Sequence, residues 1–326
     1  MGGSITVHTV KNNSHFYQLL ISLTNTMLNA ARLRLLVELE DRGSLTAVAD
    51  SLGYTPSAIS QQLGKLELET GRRLLEPIGR GVLLTDAGRT LADHGREVLE
   101  RLEAAEAALE RPDEVSGALR VAAFQTAARA LVVPALAVLA LEHPRLACEL
   151  VDQEAEAALP QLRSGELDLV VADEYAHALR PRDPRLMRHE LGPDELLVAL
   201  AADHPAARAG GPVALADLAD EPWATPWVGT PYASMVAGAC RAAGFEPRVR
   251  HRVTDLGTLL DLARSGLAVA VVPALSRPLE DAALALRPVA GGGLRRMLFA
   301  AVRRGAGGRP AIEVLIDALR VRLSAA

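Results

Sequence analysis

Aromatic residues, cysteines and long apolar runs are all scarce in this chain of 326 residues. Aromatic side chains make up only 3% of it, so any cluster of them is a candidate core or the wall of a binding site. The two cysteines, Cys148 and Cys240, lie far apart in the sequence. This spacing excludes a disulfide-rich secreted domain and fits the reducing cytoplasm. No apolar run reaches the roughly 18 residues that a transmembrane helix needs, so nothing is predicted to span a membrane.

Motifs for catalysis are also missing. The chain has no nucleophile elbow, no phosphate-binding loop and no Cys and His set at metal-ligand spacing. Its eight histidines are scattered, and we expect surface or loop residues rather than ligands. The three glycines at 291–293 do not stand between a strand and a helix start, so they indicate a loop. We therefore predict that the chain is not an enzyme and holds no metal or cofactor.

A basic excess is absent as well. The net charge is −5, and the isoelectric point is about 5.9. Residues 27–85 carry seven basic and seven acidic side chains. Any binding of nucleic acid must then depend on the local placement of charge and on dimerisation.

Residues 44–85 are the most informative stretch. They predict two short helices separated by a tight turn, the first capped by Ser44 and ended by Gly53. Thr55 and Pro56 are a strong start signal for the second helix, because proline at the first helical position needs no N–H. The apolar stripes consist of Leu45, Val48, Ala49 and Leu52 in the first helix and of Ile59, Leu63 and Leu66 in the second. This pattern is typical of a helix-turn-helix.

The outward face of the second helix is polar and has no acid between residues 55 and 65. Ser57, Ser60, Gln61 and Lys65 point away from the apolar stripe. Short hydroxyls and amides reach base edges and phosphates in a DNA major groove, whereas a carboxylate would repel the backbone. The face therefore has the chemistry of a recognition helix.

A hairpin follows, with Gly79, Arg80 and Gly81 at its tip. It can serve as a wing that places Arg80 against phosphate or in the minor groove. Thr46, at the start of the first helix of the pair, either binds phosphate or has a role in capping and packing.

These segments closely resemble the winged helix-turn-helix of LysR-type transcriptional regulators, and the resemblance extends from residue 27 to about residue 322. It implies that the DNA contacts include Pro56, Ser57, Ser60, Gln61 and Arg80. The family's Leu-Phe-x-Arg is here Leu74, Leu75, Glu76 and Pro77. One phosphate contact is therefore absent or moved to Arg72, Arg73 or Arg80.

Two segments flank this DNA-binding domain of residues 27–85. Residues 1–26 contain no Ala and no Arg, and we interpret them as a disordered leader or a translated upstream stretch; the alternative is an N-terminal arm that packs on a partner. Residues 86–112 are predicted to form a long helix. Its heptad seam consists of Leu91, Gly95, Val98, Leu102, Ala105 and Leu109. This helix either forms a dimer, like the linker helix of LysR regulators, or docks on its own domain.

Strands and helices alternate after a hinge near residues 111–117. This alternation is typical of parallel sheets covered on both faces. We expect two lobes, residues 117–192 with 303–326 and residues 193–302, joined by crossing strands. They resemble the LysR effector-binding domain, which is similar to periplasmic binding proteins. The predicted fold is thus an all-α winged helix-turn-helix with a long linker helix, followed by a bilobal α/β domain of the type 2 periplasmic-binding-protein kind.

A ligand is expected between the lobes, at strand ends and helix starts. Gln125 and Thr126 could bind an anion at the start of a helix, whereas Asp152, Asp173 and Asp255 could meet a cation or amine. Each of these residues could instead be a cap or a loop hydrogen-bonder. The full candidate set is Phe124, Gln125, Thr126, Asp152, Asp173, Trp227, Thr230, Thr254 and Asp255. The aromatic cluster of Trp223, Trp227 and Tyr232 is either a pocket wall or core.

Together these features predict a cytoplasmic DNA-binding regulator, dimeric or tetrameric, whose partners are double-stranded DNA, a small-molecule effector, further copies of itself and RNA polymerase. One alternative is a ligand-binding protein of the solute-receptor type in which the helix-turn-helix is only structural. Another is an enzyme on the same bilobal scaffold. One branch of the LysR family senses peroxide with paired cysteines, but we expect Cys148 and Cys240 to be buried as small apolar residues.

Overall fold

The computed structural model describes residues 28–79, 81–110, 115–176, 179–276 and 281–325. The chain divides into two compact units, Met1–Glu103 and Ala104–Ala326. The leader at residues 1–26, Arg80 and part of the predicted hinge lie outside the described residues.

The first unit contains a helix-turn-helix preceded by one supporting helix. Helices α1 (Ala30–Arg42), α2 (Leu45–Leu52) and α3 (Pro56–Thr70) are followed by strands β1 (Leu75–Ile78) and β2 (Gly81–Leu84). The Ser44 and Thr55 hydroxyls accept hydrogen bonds from the backbone N–H groups of Ala47 and Ala58, at 3.1 and 3.2 Å. Both caps are therefore present where the sequence predicts them.

One apolar core holds these helices together. The predicted stripe of α3 and the inward-facing leucines of α1 are buried, with Leu36 and Leu66 completely inaccessible to solvent. In α2, Val48 and Ala49 are buried, and Leu45 and Leu52 are partly buried. Burying a leucine side chain contributes about 2 kcal/mol, so most of the stability of these short helices comes from this shared core rather than from helix propensity.

The hairpin is fixed at its base by side chains from the neighbouring helices. The Glu67 carboxylate of α3 accepts the N–H groups of Leu74 and Leu75, at 2.8 and 3.1 Å. Helix α4 (Asp86–Leu109) then passes close to the hairpin at Gly88. A Cβ at Gly88 would lie 2.2 Å from the Leu74 carbonyl oxygen, so only glycine permits this approach.

The two halves of α4 differ along the predicted heptad seam. Gly95 is buried against Leu33 and Val37 of α1, and Leu91 is partly buried in the same core. Arg96 also binds Glu40 and Asp41 at the end of α1. Beyond this docked half, the seam residues are exposed: Val98, Leu102, Ala105 and Leu109. The first half of α4 thus docks on its own domain, which is one of the two predicted alternatives, whereas the second half of the seam does not.

The second unit is an α/β domain. Its strands are β3 (Gly117–Ala123), β4 (Leu146–Asp152), β5 (Leu169–Tyr175), β6 (Leu186–Ala201), β7 (Pro222–Thr225), β8 (Arg248–Arg252), β9 (Ala270–Pro273), β10 (Leu284–Pro288) and β11 (Leu294–Arg303). Its helices are α5 (Gln125–Glu142), α6 (Ala155–Ser164), α7 (Pro205–Arg208), α8 (Pro231–Ala242), α9 (Leu256–Arg264) and α10 (Pro310–Ser324).

One sheet runs through both lobes. Its strand order is β10-β6-β11-β5-β3-β4, and β9 also pairs with β6. Strands β3, β4 and β5 are parallel, whereas β6 and β11 run antiparallel to each other over ten residue pairs. The long strands β6 and β11 are therefore the crossing strands that join the two lobes.

The helix after β3 accommodates its proline without a break. Residues Ala128–Val132 form a π-helical turn before Pro134. This wider turn suits the missing N–H of a proline. Helix α5 is also long and apolar enough to cross a membrane. Because Leu131, Ala135 and Leu139 pack into the core of the first lobe, this composition is weak grounds for a membrane span.

Some strands of the second unit have little local sequence signal. Strand β7 has only four residues, and β8 alternates exposed arginines with half-buried residues, so neither carries a clear apolar pattern. The second lobe also differs from a purely parallel sheet, since β9 and β10 both pair antiparallel with β6.

Candidate DNA-binding face and ligand cavity

The predicted recognition face is exposed on α3. The side chains of Ser57, Ser60, Gln61 and Lys65 are all exposed, as is Pro56 at the start of the helix. The opposite face carries Ile59, Leu63 and Leu66. Thr46 is exposed in the first turn of α2. The fold thus brings six of the seven predicted DNA-contacting residues to the surface of the first unit, while Arg80 lies outside the described residues.

The two acids at the end of α3 are held by other groups. Glu67 anchors the hairpin, and Glu69 forms an ion pair with Arg32 of α1. Arg32 also donates a hydrogen bond to the Gln62 side chain at 3.1 Å. Gln62 therefore faces α1, whereas its neighbour Gln61 faces solvent.

A cavity of about 740 Å³ lies between the two lobes of the second unit. Seven of the nine predicted ligand-binding residues line it: Phe124, Gln125, Thr126, Asp173, Thr230, Thr254 and Asp255. They come from the start of α5, the end of β5 and the N-terminal ends of α8 and α9. The cavity therefore lies at strand ends and helix starts, where the sequence predicts a ligand-binding site.

Two predicted residues do not line the cavity. Asp152 is exposed at the end of β4, and β4 is the edge strand farthest from the crossing strands. Trp227 is 61% exposed. It begins a turn in which the Thr230 N–H donates to the Trp227 carbonyl at 3.3 Å, with Gly229 at φ +96°. This turn directs Gly229 and Thr230 to the cavity and leaves Trp227 outside.

The three aromatic residues of the predicted cluster have separate roles. Trp223 is fully buried in the second lobe, where its indole N–H donates to the Leu218 carbonyl at 3.1 Å. Tyr232 lines the cavity and donates to the Val271 carbonyl. The cluster is thus core at Trp223, cavity wall at Tyr232 and surface at Trp227.

A buried ionic network forms the floor of the cavity. Arg296 of β11 is only 4% exposed. Its guanidinium donates to Asp194 at 2.7 and 2.9 Å, to Asp173 at 3.2 Å and to the Thr126 hydroxyl at 2.7 Å. The same group lies 4.8 Å from the centre of the Phe124 ring. Since β6, β11 and β5 supply these residues, the network lies where the crossing strands meet the first lobe.

The network keeps Arg296 charged. Burial alone would lower the pKa of the guanidinium, but the charges of Asp173 and Asp194 and the hydrogen bond to Asp194 raise the pKa above its ordinary value. Burial and the charge of Asp173 also raise the pKa of the Tyr175 phenol. Tyr175 therefore remains a neutral donor, and its hydroxyl binds Asp173 at 3.0 Å.

The lobes contact each other across the cavity. Gln125 of the first lobe donates to Asp255 of the second at 3.3 Å. The Tyr175 and Tyr232 rings lie 6.2 Å apart, centre to centre. Hydrogen bonds from the Thr258 hydroxyl and N–H, and then from Gln125, lower the pKa of Asp255. Its carboxylate is consequently an anion at neutral pH.

Sequence reasoning missed several polar residues of the cavity wall: Glu154, Glu156, Tyr175, Arg180 and Arg296. One signal for Arg296 was available, because it shares an inward strand face with Leu298 and Ala300. A charged residue at an inward position predicts a buried ion pair.

The cysteines lie in different cores of the second unit. Cys240 is fully buried in the second lobe, where burial raises its thiol pKa to about 12. Cys148 packs at the edge of the first-lobe core, and partial burial raises its pKa too. A reactive thiol needs a lowered pKa. Among the described residues, no group of His, Cys, Asp and Glu could hold a metal ion.

Comparison with known proteins finds a matching family for each of the two units. Residues 30–89 match the family described as bacterial regulatory helix-turn-helix protein, lysR family, and residues 112–324 match the LysR substrate binding domain. The chain is 31% identical over 300 residues to the DNA-binding transcriptional dual regulator OxyR of Escherichia coli K12, covering 91% of this chain and 96% of that one. It is 27% identical over 280 residues to the regulator TtuA of Agrobacterium vitis, covering 83% and 90%.

Among solved structures, a full-length OxyR variant from Pseudomonas aeruginosa has the same fold. The TM-score is 0.67 at 23% identity, covering 90% of this chain and 98% of that one. The fold prediction of a helix-turn-helix followed by a bilobal α/β domain is confirmed. The chain therefore belongs to the LysR family of transcriptional regulators, whose members bind DNA and small-molecule effectors.

Proposed function

We propose that this regulator reads DNA through the exposed face of α3 and senses its effector in the cavity between the lobes. The single observation that carries the DNA assignment is the chemistry of that face. Ser57, Ser60, Gln61 and Lys65 are exposed together, while Glu67 and Glu69 are engaged elsewhere. A surface of hydroxyls, an amide and an ammonium fits phosphates and base edges in the major groove.

The proposal also assigns the hairpin of β1 and β2 the role of a wing that contacts DNA. We assign Arg80 a phosphate or minor-groove contact from its place between β1 and β2. Arg72 and Arg73 are exposed just before the hairpin, so they are positioned to supply the phosphate contact that Pro77 cannot make. Thr46 is the corresponding phosphate contact from α2.

We propose the domain division that the sequence predicts, with DNA binding at residues 27–85, a linker helix at 86–112 and lobes at 117–192 with 303–326 and at 193–302. The exposed half of the α4 seam supports dimerisation through the linker helix. Val98, Leu102 and Leu109 are 45%, 46% and 84% exposed. An apolar stripe on a helix is stable in water only when another surface covers it.

We infer a cytoplasmic regulator without catalytic activity that contacts RNA polymerase when it activates a promoter. The relatives are named as transcriptional regulators, and DNA is available in the cytoplasm. Relatives from Escherichia coli are also named as hydrogen peroxide-inducible genes activators. The raised thiol pKa values of Cys148 and Cys240 favour a bound effector over thiol oxidation in this chain.

Substitution at Gln61 tests the DNA face. Gln61→Ala should weaken binding by about 1–3 kcal/mol and relax specificity at one base position. The measurement is fluorescence anisotropy of the full chain on DNA from upstream of its own gene, beside a scrambled duplex, at two salt concentrations.

The matched control is Gln62→Ala. It removes the same amide from the same helix, but Gln62 faces Arg32 of α1 rather than solvent. Affinity should be unchanged in this variant. Equal losses in the two variants, or no loss in either, would show that DNA binds elsewhere.

A further inference from the structure

The cavity has an excess of negative charge among its described lining residues. It is lined by four carboxylates, Glu154, Glu156, Asp173 and Asp255, against two guanidiniums, Arg180 and Arg296. A cavity with low-dielectric walls concentrates the field of such a charge excess. An anionic effector would be repelled by this lining, and a cation would be attracted.

Both arginines are already engaged by protein carboxylates. Arg296 is bound by Asp194 and Asp173. Arg180 donates to Glu156 at 2.9 Å and to the Asp173 carbonyl at 2.7 Å. These charges are therefore largely neutralised within the protein, and they leave little attraction for a carboxylate or phosphate on a ligand.

The side chain of Glu154, in contrast, makes no hydrogen bond or ion pair with the described residues, and it is exposed at the cavity wall. It occupies the N-cap position of α6, yet its side chain makes no capping hydrogen bond. Desolvation of its carboxyl, and then the nearby charges of Asp173 and Glu156, raise its pKa, and the charges of Arg180 and Arg296 only partly offset this rise. A cationic ligand would relieve this repulsion by supplying the charge that Glu154 lacks.

We propose that the effector carries a protonated amine or a guanidinium, and that Glu154 is the carboxylate that receives it. This inference rests on the proposed role of the cavity as the effector site. Glu156 and Asp173, which pair with Arg180 and Arg296, lie close enough for their charges to act on the same carboxyl. Gln125 and Asp255, which join the lobes at 3.3 Å, line the same cavity.

The test compares three probes that share a chain of four carbons: putrescine, butanediol and succinate. They present positive, neutral and negative ends, respectively. Binding is measured on the full-length protein by calorimetry and by thermal unfolding, because a ligand that binds only the folded state raises Tm. Tryptophan fluorescence is a third readout, since Trp227 is 61% exposed in the loop beside the cavity and Trp223 is buried.

We expect putrescine to bind and to raise Tm more than butanediol, and succinate to give no response. Glu154→Gln should weaken putrescine binding by about tenfold or more, as expected for a charge-assisted hydrogen bond. The matched control is Glu149→Gln, which removes an exposed carboxylate of β4 outside the cavity. It should leave putrescine binding unchanged.

Three results would overturn the proposal. The protein could prefer succinate or butanediol, it could respond to none of the three probes, or Glu154→Gln could bind putrescine as tightly as the parent chain does. The anisotropy titration on DNA is run on the same samples. DNA binding without the putrescine response refutes only the charge assignment, whereas loss of sequence-selective DNA binding refutes the proposed function itself.

Discussion

Removal of Arg296 is the most informative perturbation of the second unit. In Arg296→Met, the Asp194 carboxylate, which is 2% exposed, loses the two hydrogen bonds at 2.7 and 2.9 Å and keeps only the Leu275 N–H at 3.1 Å. Asp173 is affected less, because Arg180 and Tyr175 still bind it. Breaking a buried ion pair from one side costs about 3–5 kcal/mol, and we expect about 3–4 kcal/mol here.

Substitution of Asp194, the other partner, separates the energy of the ion pair from the energy of side-chain packing. Asp194→Leu should cost about 2–3 kcal/mol, since Arg296 keeps Asp173 and Thr126 as partners. The double variant removes both charges of the pair, so neither Arg296 nor Asp194 is left buried without its partner. It should therefore cost less than the two single changes together, with a coupling energy of about 3 kcal/mol.

Urea unfolding followed by tryptophan fluorescence measures these energies. Both tryptophans, Trp223 and Trp227, lie in the second unit, so the signal reports that unit without interference from the helix-turn-helix. The matched control is Arg295→Met, which removes the exposed arginine next along β11 and should cost less than about 0.5 kcal/mol. A cost of Arg296→Met below about 1 kcal/mol, or additivity of the two single changes, would refute the network as a stabilising unit.

Two further predictions concern pH and assembly. Burial alone would raise the pKa of Asp183, but hydrogen bonds and charge from Arg185 and Arg163 lower it to about 2. Asp183 therefore stabilises the fold at neutral pH, and its contribution is lost as pH falls through that value. Asp183→Asn should cost about 1–2 kcal/mol near pH 7, and the difference from the parent chain in urea unfolding should shrink towards about pH 3; a pH-independent difference would contradict this. Leu102→Glu places a charge on the exposed α4 stripe and should weaken the dimer about tenfold or more in sedimentation equilibrium, whereas Arg101→Glu, off the stripe, should not; equal effects would exclude this stripe as the dimer surface.

The sequence by itself determined the first unit almost residue by residue. Caps, apolar periodicity and turn glycines act over a few residues. The caps Ser44 and Thr55 and the stripe of Ile59, Leu63 and Leu66 could therefore be predicted from the sequence alone. The start of α5 and the helix starts near Thr230 and Asp255 were readable for the same reason. Six of the seven predicted cavity residues were found in this way, because helix starts are local features.

Only the tertiary structure decided which of these local features meet. Asp152 and Asp173 both lie near the C-terminal ends of strands, but strand order places Asp152 at the sheet edge and Asp173 at the cavity. Trp223 and Trp227 are four residues apart, yet one is core and the other is surface because a turn separates them. The network of Arg296, Asp194 and Asp173 joins residues more than 100 positions apart. Such contacts depend on the pairing of β5, β6 and β11, which no local pattern specifies.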